Sequence, residues 1–298
     1  MMYGAIDIGS NAIRLLIGSV NEGDGKPRVK KINLIRLPIR LGQEVFDNNE
    51  ISKPKIRELI DGLSAFVSVM RVYKVKQFEA FATSALRESS NSEYVLKKIK
   101  KYVGIDVKCI SGDDEAKLIF GAFEMLAMDF SREYLSIDVG GGSTELTLLR
   151  NGKQITSQSF KLGTVRLMNG KDEPAEWDRM KHWILEVTTG SRRLSALGTG
   201  GNINRFLKMS HTKTQGFVTY FEMQSLSKEM EALTLKERVE KFRLREDRAD
   251  VIVPASKIYL FAMEYGNIDL IQVPKIGLTD GMIYAMHQAT IGSQQLSS

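Results

Sequence analysis

Two stretches of the chain repeat one pattern of apolar and polar positions. In the first, the apolar residues 3–6 end at Asp7, a turn of glycine and small polar residues follows, and apolar positions resume at 12–20. In the second, residues 135–137 end at Asp138, Val139 and three glycines follow, and apolar positions resume at 146–149. Short apolar runs on either side of such a turn predict strand, turn and strand. The sequence therefore predicts two β-hairpins, each with a carboxylate at its turn.

The remaining pattern predicts alternating helices and strands in each half of the chain. In the first half, further strands are expected near 26–37, 78–83 and 106–110, and helices over 52–73, 91–103 and 113–126. The first of these helices is expected to have Ser52 as its N-cap. In the second half, strands are expected near 134–139, 143–150, 153–160, 194–197 and 270–273, and helices over 176–188, 202–209, 223–233, 248–265 and 280–288. The two aspartates are about one domain length apart, which indicates a duplicated α/β plan.

The residue types at the two turns favour phosphate binding. Glycine lets backbone N–H groups approach an anion, and small hydroxyl or amide side chains add donors. An aspartate would repel the phosphate and is suited instead to a hydrated divalent cation. One such turn alone would more often be an ordinary hairpin, but two copies favour a phosphate chain bound between them. The chain has neither a GxGxxG sequence between a strand and a helix nor a GxxxxGK[ST] loop.

Composition narrows the class of ligand. Lys and Arg number 42 against 36 Asp and Glu, a net charge of +6 that favours a polyanion. No helix-turn-helix, zinc-finger or RRM-like signature points to nucleic acid, and no apolar run is long enough to span a membrane. Cys109 is the only cysteine, which excludes an intrachain disulfide. With no signal-peptide pattern at the N-terminus, we expect a cytoplasmic protein.

Five segments together resemble one family. They are residues 5–15, 82–88, 110–116, 137–146 and 161–167. The chain resembles the exopolyphosphatase/guanosine pentaphosphate phosphohydrolase (Ppx/GppA) family, whose fold is α/β with duplicated actin-like (ribonuclease H-like) domains, as in sugar kinases, Hsp70 and actin. The resemblance implies a first domain over 1–127, joined by a C-terminal helix over 280–291, and a second over 128–279. It also implies the short two-domain form of the family.

The resemblance implies roles for individual residues. Glu115 matches the catalytic glutamate that orients the attacking water, Arg87 matches a phosphate-contacting arginine, and Glu145 would help to place the water or the cation. The implied phosphate-binding residues are Ser10, Asn11, Gly140, Gly141, Gly142, Ser143 and Thr144. The implied ligands of Mg²⁺ are Asp7, Asp138 and Glu145. Arg14 and Arg166 also match family positions.

The sequence leaves the substrate open. We expect an exopolyphosphatase that releases orthophosphate from inorganic polyphosphate. The alternatives are a guanosine pentaphosphate 5′-phosphohydrolase, a non-catalytic sensor of either ligand, and a sugar or acetate kinase. Activation by K⁺ and a homodimer are further expectations that the resemblance leaves open. Thr279 and Asp280 stand where the family commonly has Arg-Glu, a departure from the family's pattern.

Overall fold

The structure is a computed structural model that describes residues 1–23, 26–126, 128–129, 131–191 and 194–295, with 294 and 295 as backbone only. It divides into two compact units. Unit 1 comprises Met1–Ala127 and Ile276–Ser298, and unit 2 comprises Met128–Lys275. Ala127 and Phe130, beside the predicted boundary, lie outside the described residues.

The elements of the first part of the chain are β1 (Tyr3–Ile8), β2 (Ile13–Asn21), β3 (Arg28–Leu37), α1 (Leu41–Asn48), α2 (Lys53–Val72), β4 (Gln77–Ala82), α3 (Ser84–Glu88), α4 (Ser92–Val103), β5 (Lys108–Cys109) and α5 (Gly112–Phe123). Those of unit 2 are β6 (Glu133–Val139), β7 (Thr144–Arg150), β8 (Lys153–Phe160), α6 (Thr164–Met168), α7 (Pro174–Thr188), β9 (Leu194–Thr199), α8 (Ile203–Met209), β10 (Phe217–Thr219), α9 (Tyr220–Glu231), α10 (Leu235–Phe242), α11 (Glu246–Ala249), α12 (Ile252–Tyr265) and β11 (Leu270–Gln272). The last helix, α13 (Leu278–Gln295), returns to unit 1.

The sheet of unit 1 has the strand order β3-β2-β1-β4-β5. Strands β1, β2 and β3 pair antiparallel, whereas β4 and β5 join parallel to β1. Every residue of β1 is buried, as expected of a central strand covered on both faces. Helix α2 begins after Ser52, whose side chain accepts a hydrogen bond from the backbone N–H of Lys55, so the predicted N-cap is confirmed.

Helix α13 completes unit 1 through three kinds of contact. A Cβ placed on Gly281 would lie 2.6 Å from the carbonyl carbon of Leu118 and closer still to its oxygen, so the backbones of α13 and α5 touch. The buried carboxylate of Asp280 is 2.8 Å from the ammonium of Lys31 on β3. The imidazole Nδ1 of His287 lies 3.2 Å from the Tyr3 hydroxyl on β1. These contacts attach residues from the far end of the sequence to the first three strands.

The sheet of unit 2 repeats the plan of unit 1. Its order is β10-β11-β9-β6-β7-β8, with β6, β7 and β8 antiparallel and with β9 and β11 parallel to β6. The order β8-β7-β6-β9-β11 in unit 2 corresponds to the order β3-β2-β1-β4-β5 in unit 1, with the same antiparallel and parallel pairings. Unit 2 has β10 as an additional strand beside β11. The predicted duplication of an α/β domain is therefore confirmed.

Several elements differ from their predicted bounds. The helix predicted over 248–265 is divided into α11 and α12, because Pro254 has no N–H and its ring excludes the carbonyl of residue 250 from a continuous helix. The strand predicted over 106–110 shrinks to the two residues of β5. Phe78 on β4 is 40% exposed, so this strand is buried only in its second half. The short helices α1, α3, α6 and α10 were not predicted, since each is only one or two turns long.

Candidate active site

The turn of the first hairpin holds Asp7 within its own unit. Asp7 and Arg14 are directly opposed in the β1–β2 register, and the guanidinium of Arg14 forms an ion pair with the Asp7 carboxylate. The Asp7 side chain is only 4% exposed. Gly9 closes the turn by donating its N–H to the carbonyl of Ala12 at 3.1 Å. The hairpin therefore presents Asp7 as a buried carboxylate that already has a cationic partner.

The neighbouring residues Ser10 and Asn11 are tied to two helices. The carbonyl of Ser10 accepts the N–H of Gly42 at 2.8 Å, and the carbonyl of Asn11 accepts the N–H of Arg40 at 3.2 Å. The Ser10 hydroxyl is 2.8 Å from the hydroxyl of Ser84, the first residue of α3. The structure thus links this turn to the helix that carries Arg87.

Arg87 and Glu115 are connected through the backbone that precedes α5. The guanidinium of Arg87 donates to the carbonyl of Ile110 at 2.7 Å. The next residue, Ser111, is the N-cap of α5, and its hydroxyl accepts the N–H of Asp114 at 3.1 Å. Glu115 follows in the first turn, where it is buried and where a carboxylate is favoured by the helix dipole.

Asp114 and Glu115 have different environments. Asp114 is exposed, and a hydrogen bond from the Ser111 hydroxyl, aided by the charge of Lys117, lowers the pKa of its carboxyl below the usual value. Asp114 is therefore part of the helix cap. Its neighbour Glu115 is the carboxylate of this turn that is withdrawn from bulk solvent.

The second hairpin brings two carboxylates together. Asp138 on β6 and Glu145 on β7 are direct cross-strand partners, and an oxygen of each lies within 4.8 Å of the other. The Glu145 oxygen Oε1 accepts hydrogen bonds from the hydroxyls of Ser143 at 2.7 Å and Ser159 at 2.8 Å. These two donors fix the orientation of the Glu145 carboxylate.

The Asp138 carboxylate lies against the turn that follows β9. A Cβ on Gly200 would be 2.8 Å from Asp138 Oδ1, and Gly200 has φ +90°, a left-handed value that glycine adopts without strain. Behind this turn, the buried Tyr259 hydroxyl donates to the carbonyl of Thr199 at 2.8 Å. Burial, and then the charge of Asp138, raise the pKa of Tyr259 well above its usual value. The tyrosine therefore serves as a neutral donor that supports the turn.

Residues 140–142, here called the glycine loop, connect β6 to β7. The loop closes through a 2.9 Å hydrogen bond from the N–H of Gly140 to the carbonyl of Ser143. The carbonyl of Gly140 accepts the N–H of Thr164 at 3.0 Å, and that of Gly141 accepts the N–H of Val165 at 2.8 Å. Both donors belong to the start of α6, so the loop is held from one side by that helix.

The donor set of the second hairpin fits a hard divalent cation. Asp138 and Glu145 supply carboxylate oxygens, the ligand type that Mg²⁺ prefers, and their oxygens are close enough to share one hydrated ion. Asp138 precedes the glycine loop of unit 2 and Glu145 follows it. In unit 1, Asp7 and Glu115 offer oxygens of the same kind.

Sequence reasoning named most of these residues but missed three hydroxyls, those of Ser84, Ser159 and Tyr259. Ser159 on β8 is opposite Glu145 in the strand register and orients its carboxylate. Ser84 contacts Ser10. A hydroxyl opposite a buried acid becomes informative only when the pairing of β7 with β8 is known. Ser84 lies within the segment 82–88 that carried the family resemblance.

Comparison with known proteins identifies the family. Residues 20–290 match the model of the Ppx/GppA phosphatase family. The chain belongs to this family. The family is one of phosphatases, so the chain is a hydrolase, and the repeated sheets agree with its duplicated actin-like fold.

Three curated relatives illustrate the range of named functions in the family. Exopolyphosphatase 1 of Mycobacterium tuberculosis is 24% identical over 95% of this chain and 87% of its own length. Guanosine-5′-triphosphate,3′-diphosphate pyrophosphatase of Vibrio vulnificus is 25% identical over 96% of this chain and 59% of its own length. The bifunctional 3-dehydroquinate synthase/phosphatase of Fusobacterium nucleatum is 36% identical over 56% of this chain, and the match spans only 26% of that protein.

A solved structure shows the same fold. The crystal structure of an exopolyphosphatase from Cytophaga hutchinsonii superimposes with a TM-score of 0.83 at 24% identity, covering 97% of this chain and 98% of that one. The similarity extends through both units and therefore supports the assignment of the whole chain to one fold.

Proposed function

We propose that the protein hydrolyses terminal phosphoanhydride bonds and that inorganic polyphosphate is its substrate. The observation that carries the proposal is the second hairpin. Its glycine loop joins the strands that carry Asp138 and Glu145, and the carbonyls of Gly140 and Gly141 accept N–H groups of α6. A loop that offers N–H groups to an anion beside a cation site matches the needs of a phosphate bound with a metal.

In this proposal the terminal phosphoryl group binds to the N–H groups of the glycine loop. The predicted phosphate ligands Ser143 and Thr144 would support the loop instead, because the Ser143 hydroxyl donates to Glu145 at 2.7 Å and the buried Thr144 hydroxyl donates to the carbonyl of Leu162 at 2.6 Å. Ser10, Asn11 and Arg87 of unit 1 contribute further donors to the phosphate chain. A planar guanidinium suits the non-bridging oxygens of a phosphoryl group. Positioning and electrostatic stabilisation supply most of the catalysis in phosphoryl transfer, so no covalent nucleophile is required.

Glu115 is proposed to orient the attacking water and to accept its proton. Its burial in the first turn of α5, where the neighbouring Asp113 and Asp114 are exposed, supports this role. Asp138 and Glu145, with Asp7, would hold Mg²⁺ largely through water. The cation would neutralise charge on the phosphate chain.

Polyphosphate is proposed over guanosine pentaphosphate for two reasons. The net charge of +6 favours a long polyanion. A guanine pocket would need an aromatic or apolar wall, and the glycine turns at 198–202 and 277–281 contain no aromatic residue. Phe206, an aromatic residue near the first turn, is fully buried in the core of unit 2. Curated relatives carry both activities in their names, so the alarmone remains the second candidate.

The proposal also covers the metal, the oligomeric state and the cellular location of the enzyme. Mg²⁺ is the proposed metal, with K⁺ as an activator to be tested, and a homodimer is the proposed assembly. No helix among the described residues has the length and apolar character needed to cross a membrane. Cys109 is exposed and has no second cysteine with which to pair. A reducing compartment, the cytoplasm, is therefore the proposed location.

The decisive experiment compares substrates and one matched pair of variants. Phosphate release is measured with Mg²⁺ from long-chain polyphosphate, tripolyphosphate and guanosine pentaphosphate at equal concentrations. We expect polyphosphate to be hydrolysed fastest and Glu115→Gln to lower turnover by about 10²–10⁴-fold. Asp113→Asn removes a charge from the same helical turn at an exposed position and should leave turnover nearly unchanged.

Two outcomes would overturn parts of this proposal. If guanosine pentaphosphate is the faster substrate and blocks polyphosphate hydrolysis at micromolar levels, the alarmone takes the place of polyphosphate. If Glu115→Gln turns over at the rate of Asp113→Asn, Glu115 does not activate the water.

A further inference from the structure

We infer that Gly163 and Arg166 are positioning residues that hold the glycine loop in an anion-binding conformation. This inference rests on the proposed function, because it concerns the loop to which the phosphoryl group would bind. It is carried by three successive carbonyl groups that are bound from the same side. Those of Gly140 and Gly141 accept backbone N–H groups of α6, and that of Gly142 accepts Nε of Arg166 at 2.9 Å.

Peptide geometry determines the direction of the N–H groups in the glycine loop. In a trans peptide, the C=O and the N–H point in opposite directions, and the described residues contain no cis peptide bond. With the carbonyls of residues 140, 141 and 142 directed at α6, the N–H groups of Gly141, Gly142 and Ser143 are directed away from it. Three successive N–H groups on one side form the kind of concavity that binds anions.

Gly163 allows this arrangement by its lack of a side chain. Its φ of −150° is extended backbone that any residue adopts, so conformational freedom is not the reason for a glycine here. A Cβ at this position would lie 2.5 Å from the carbonyl oxygen of Gly141 and 2.5 Å from the nitrogen of Gly142. A side chain would therefore press on the peptide between these two glycines and displace the loop.

Arg166 controls the last peptide of the loop. Its side chain is buried, and its Nε donates to the carbonyl of Gly142. The two preceding carbonyls are instead bound by backbone N–H groups, which every residue except proline supplies. Without this donor, no side chain holds the carbonyl of Gly142 toward α6, and the peptide between Gly142 and Ser143 can rotate. The N–H of Ser143 would then no longer point to the same side as the N–H groups of Gly141 and Gly142. Ser143 also donates its hydroxyl to Glu145, so the change reaches the proposed cation site.

An alternative is that Arg166 acts through its charge on the phosphate, and two substitutions separate the possibilities. Glutamine carries its Nε2 on Cδ, the atom that bears Nε in arginine, so Arg166→Gln keeps a donor at that place and removes the charge. Arg166→Met has the same length with neither donor nor charge. A positioning role predicts that glutamine rescues what methionine loses, whereas a charge contact predicts equal losses.

The experiment measures the conformation of the glycine loop and the affinity for the ligand separately. Amide resonances of the loop are recorded by NMR for the full chain, and tripolyphosphate affinity is measured by calorimetry in the Glu115→Gln background. We expect Arg166→Met to shift the Gly142 and Ser143 amides before any ligand is added. It should also weaken tripolyphosphate binding roughly 10- to 100-fold, as expected for the loss of a hydrogen bond from a charged donor. Arg166→Gln should stay within a few-fold of the native arginine.

Gly163→Ala provides an independent variant, and Gly292→Ala is its control because a Cβ there would meet nothing within 4 Å. Gly163→Ala should shift the same amides, and Gly292→Ala should not. Equal losses for Arg166→Gln and Arg166→Met, or native loop resonances in Arg166→Met, would overturn the inference. If the native chain binds tripolyphosphate at the loop but hydrolyses no phosphoanhydride, the proposed function fails while the positioning role stands.

Discussion

Replacing Gly281 by alanine tests the contact that holds α13 against α5. The new Cβ would start 2.6 Å from the carbonyl carbon of Leu118, whereas ordinary van der Waals contact begins near 3.4 Å. The two helices must therefore separate by about 0.8 Å or more at this point, because the atom in the way belongs to the backbone. Leu118 lies one turn after Glu115, so the displacement affects the helix that carries the proposed base.

The expected magnitude follows from two opposing effects. Alanine is favoured over glycine in a helix by about 0.8–1 kcal/mol. Overpacking a well-packed contact costs about 1–3 kcal/mol. Because the obstructing atoms belong to the backbone, the upper end of this cost applies, and we expect Gly281→Ala to lower the free energy of unfolding of unit 1 by about 2 kcal/mol after the offset. Turnover should fall by up to about 10²-fold, the effect of misplacing a catalytic group by about 1 Å.

The two units can be followed separately in one unfolding experiment. Both tryptophans, Trp177 and Trp183, lie on α7 of unit 2, so their fluorescence reports on that unit. Far-ultraviolet circular dichroism follows the helices of both units. Gly281→Ala should shift the dichroism transition to lower denaturant and leave the tryptophan transition in place. Gly292→Ala on the same helix is the matched control and should cause no loss of stability.

A specific result would refute this reasoning. If Gly281→Ala is as stable as Gly292→Ala and as active as the unmodified chain, the helices separate without cost. The contact between α5 and α13 would then have no role in placing Glu115.

Three further predictions concern charge. Burial raises the pKa of Asp280 in the folded state, so its contribution to stability is present at low pH and is lost as pH rises through that pKa. Lys31→Met should therefore lower the free energy of unfolding more at pH 7 than at pH 4, and urea titrations at the two pH values would show the difference. The expected loss at pH 7 is about 1–2 kcal/mol, because the Lys31 ammonium is partly exposed. Asp138→Ala should abolish most Mg²⁺-dependent phosphate release, and Asp7→Ala should reduce it less; native Mg²⁺ titrations in both variants would contradict their proposed role. The affinity for long polyphosphate should fall steeply between about 50 and 200 mM salt, whereas a flat response would argue against many phosphate contacts.

The sequence predicted the parts of the fold that depend on local pattern. Both hairpins could be recognised because apolar runs and glycine turns lie next to each other in the chain. The N-cap at Ser52 followed from the same kind of local signal. Glu115 could be singled out only through its family resemblance, since three adjacent acids at a helix start also suit the helix dipole.

What the sequence could not predict depends on contacts between distant segments. Ser159 orients Glu145 because β8 pairs with β7 in one particular register. Gly163 lies 21 residues beyond Gly142, yet it packs on the loop backbone. The phosphate contact expected of Arg87 stays a prediction, and the structure shows its guanidinium donating to the carbonyl of Ile110. Each of these facts requires the folded backbone.

The discontinuity of unit 1 reverses the usual order of domain completion during translation. Domains generally fold as units, the N-terminal one first, as the chain leaves the ribosome. Here unit 2 is continuous in sequence, whereas unit 1 needs residues 276–298 to supply α13. Once the chain has emerged from the ribosome as far as residue 275, unit 2 can be completed, while unit 1 still lacks the helix that covers β1 and β2. The segment synthesised first is thus the last to be completed, and it stays exposed to chaperones and proteases throughout the synthesis of its neighbour.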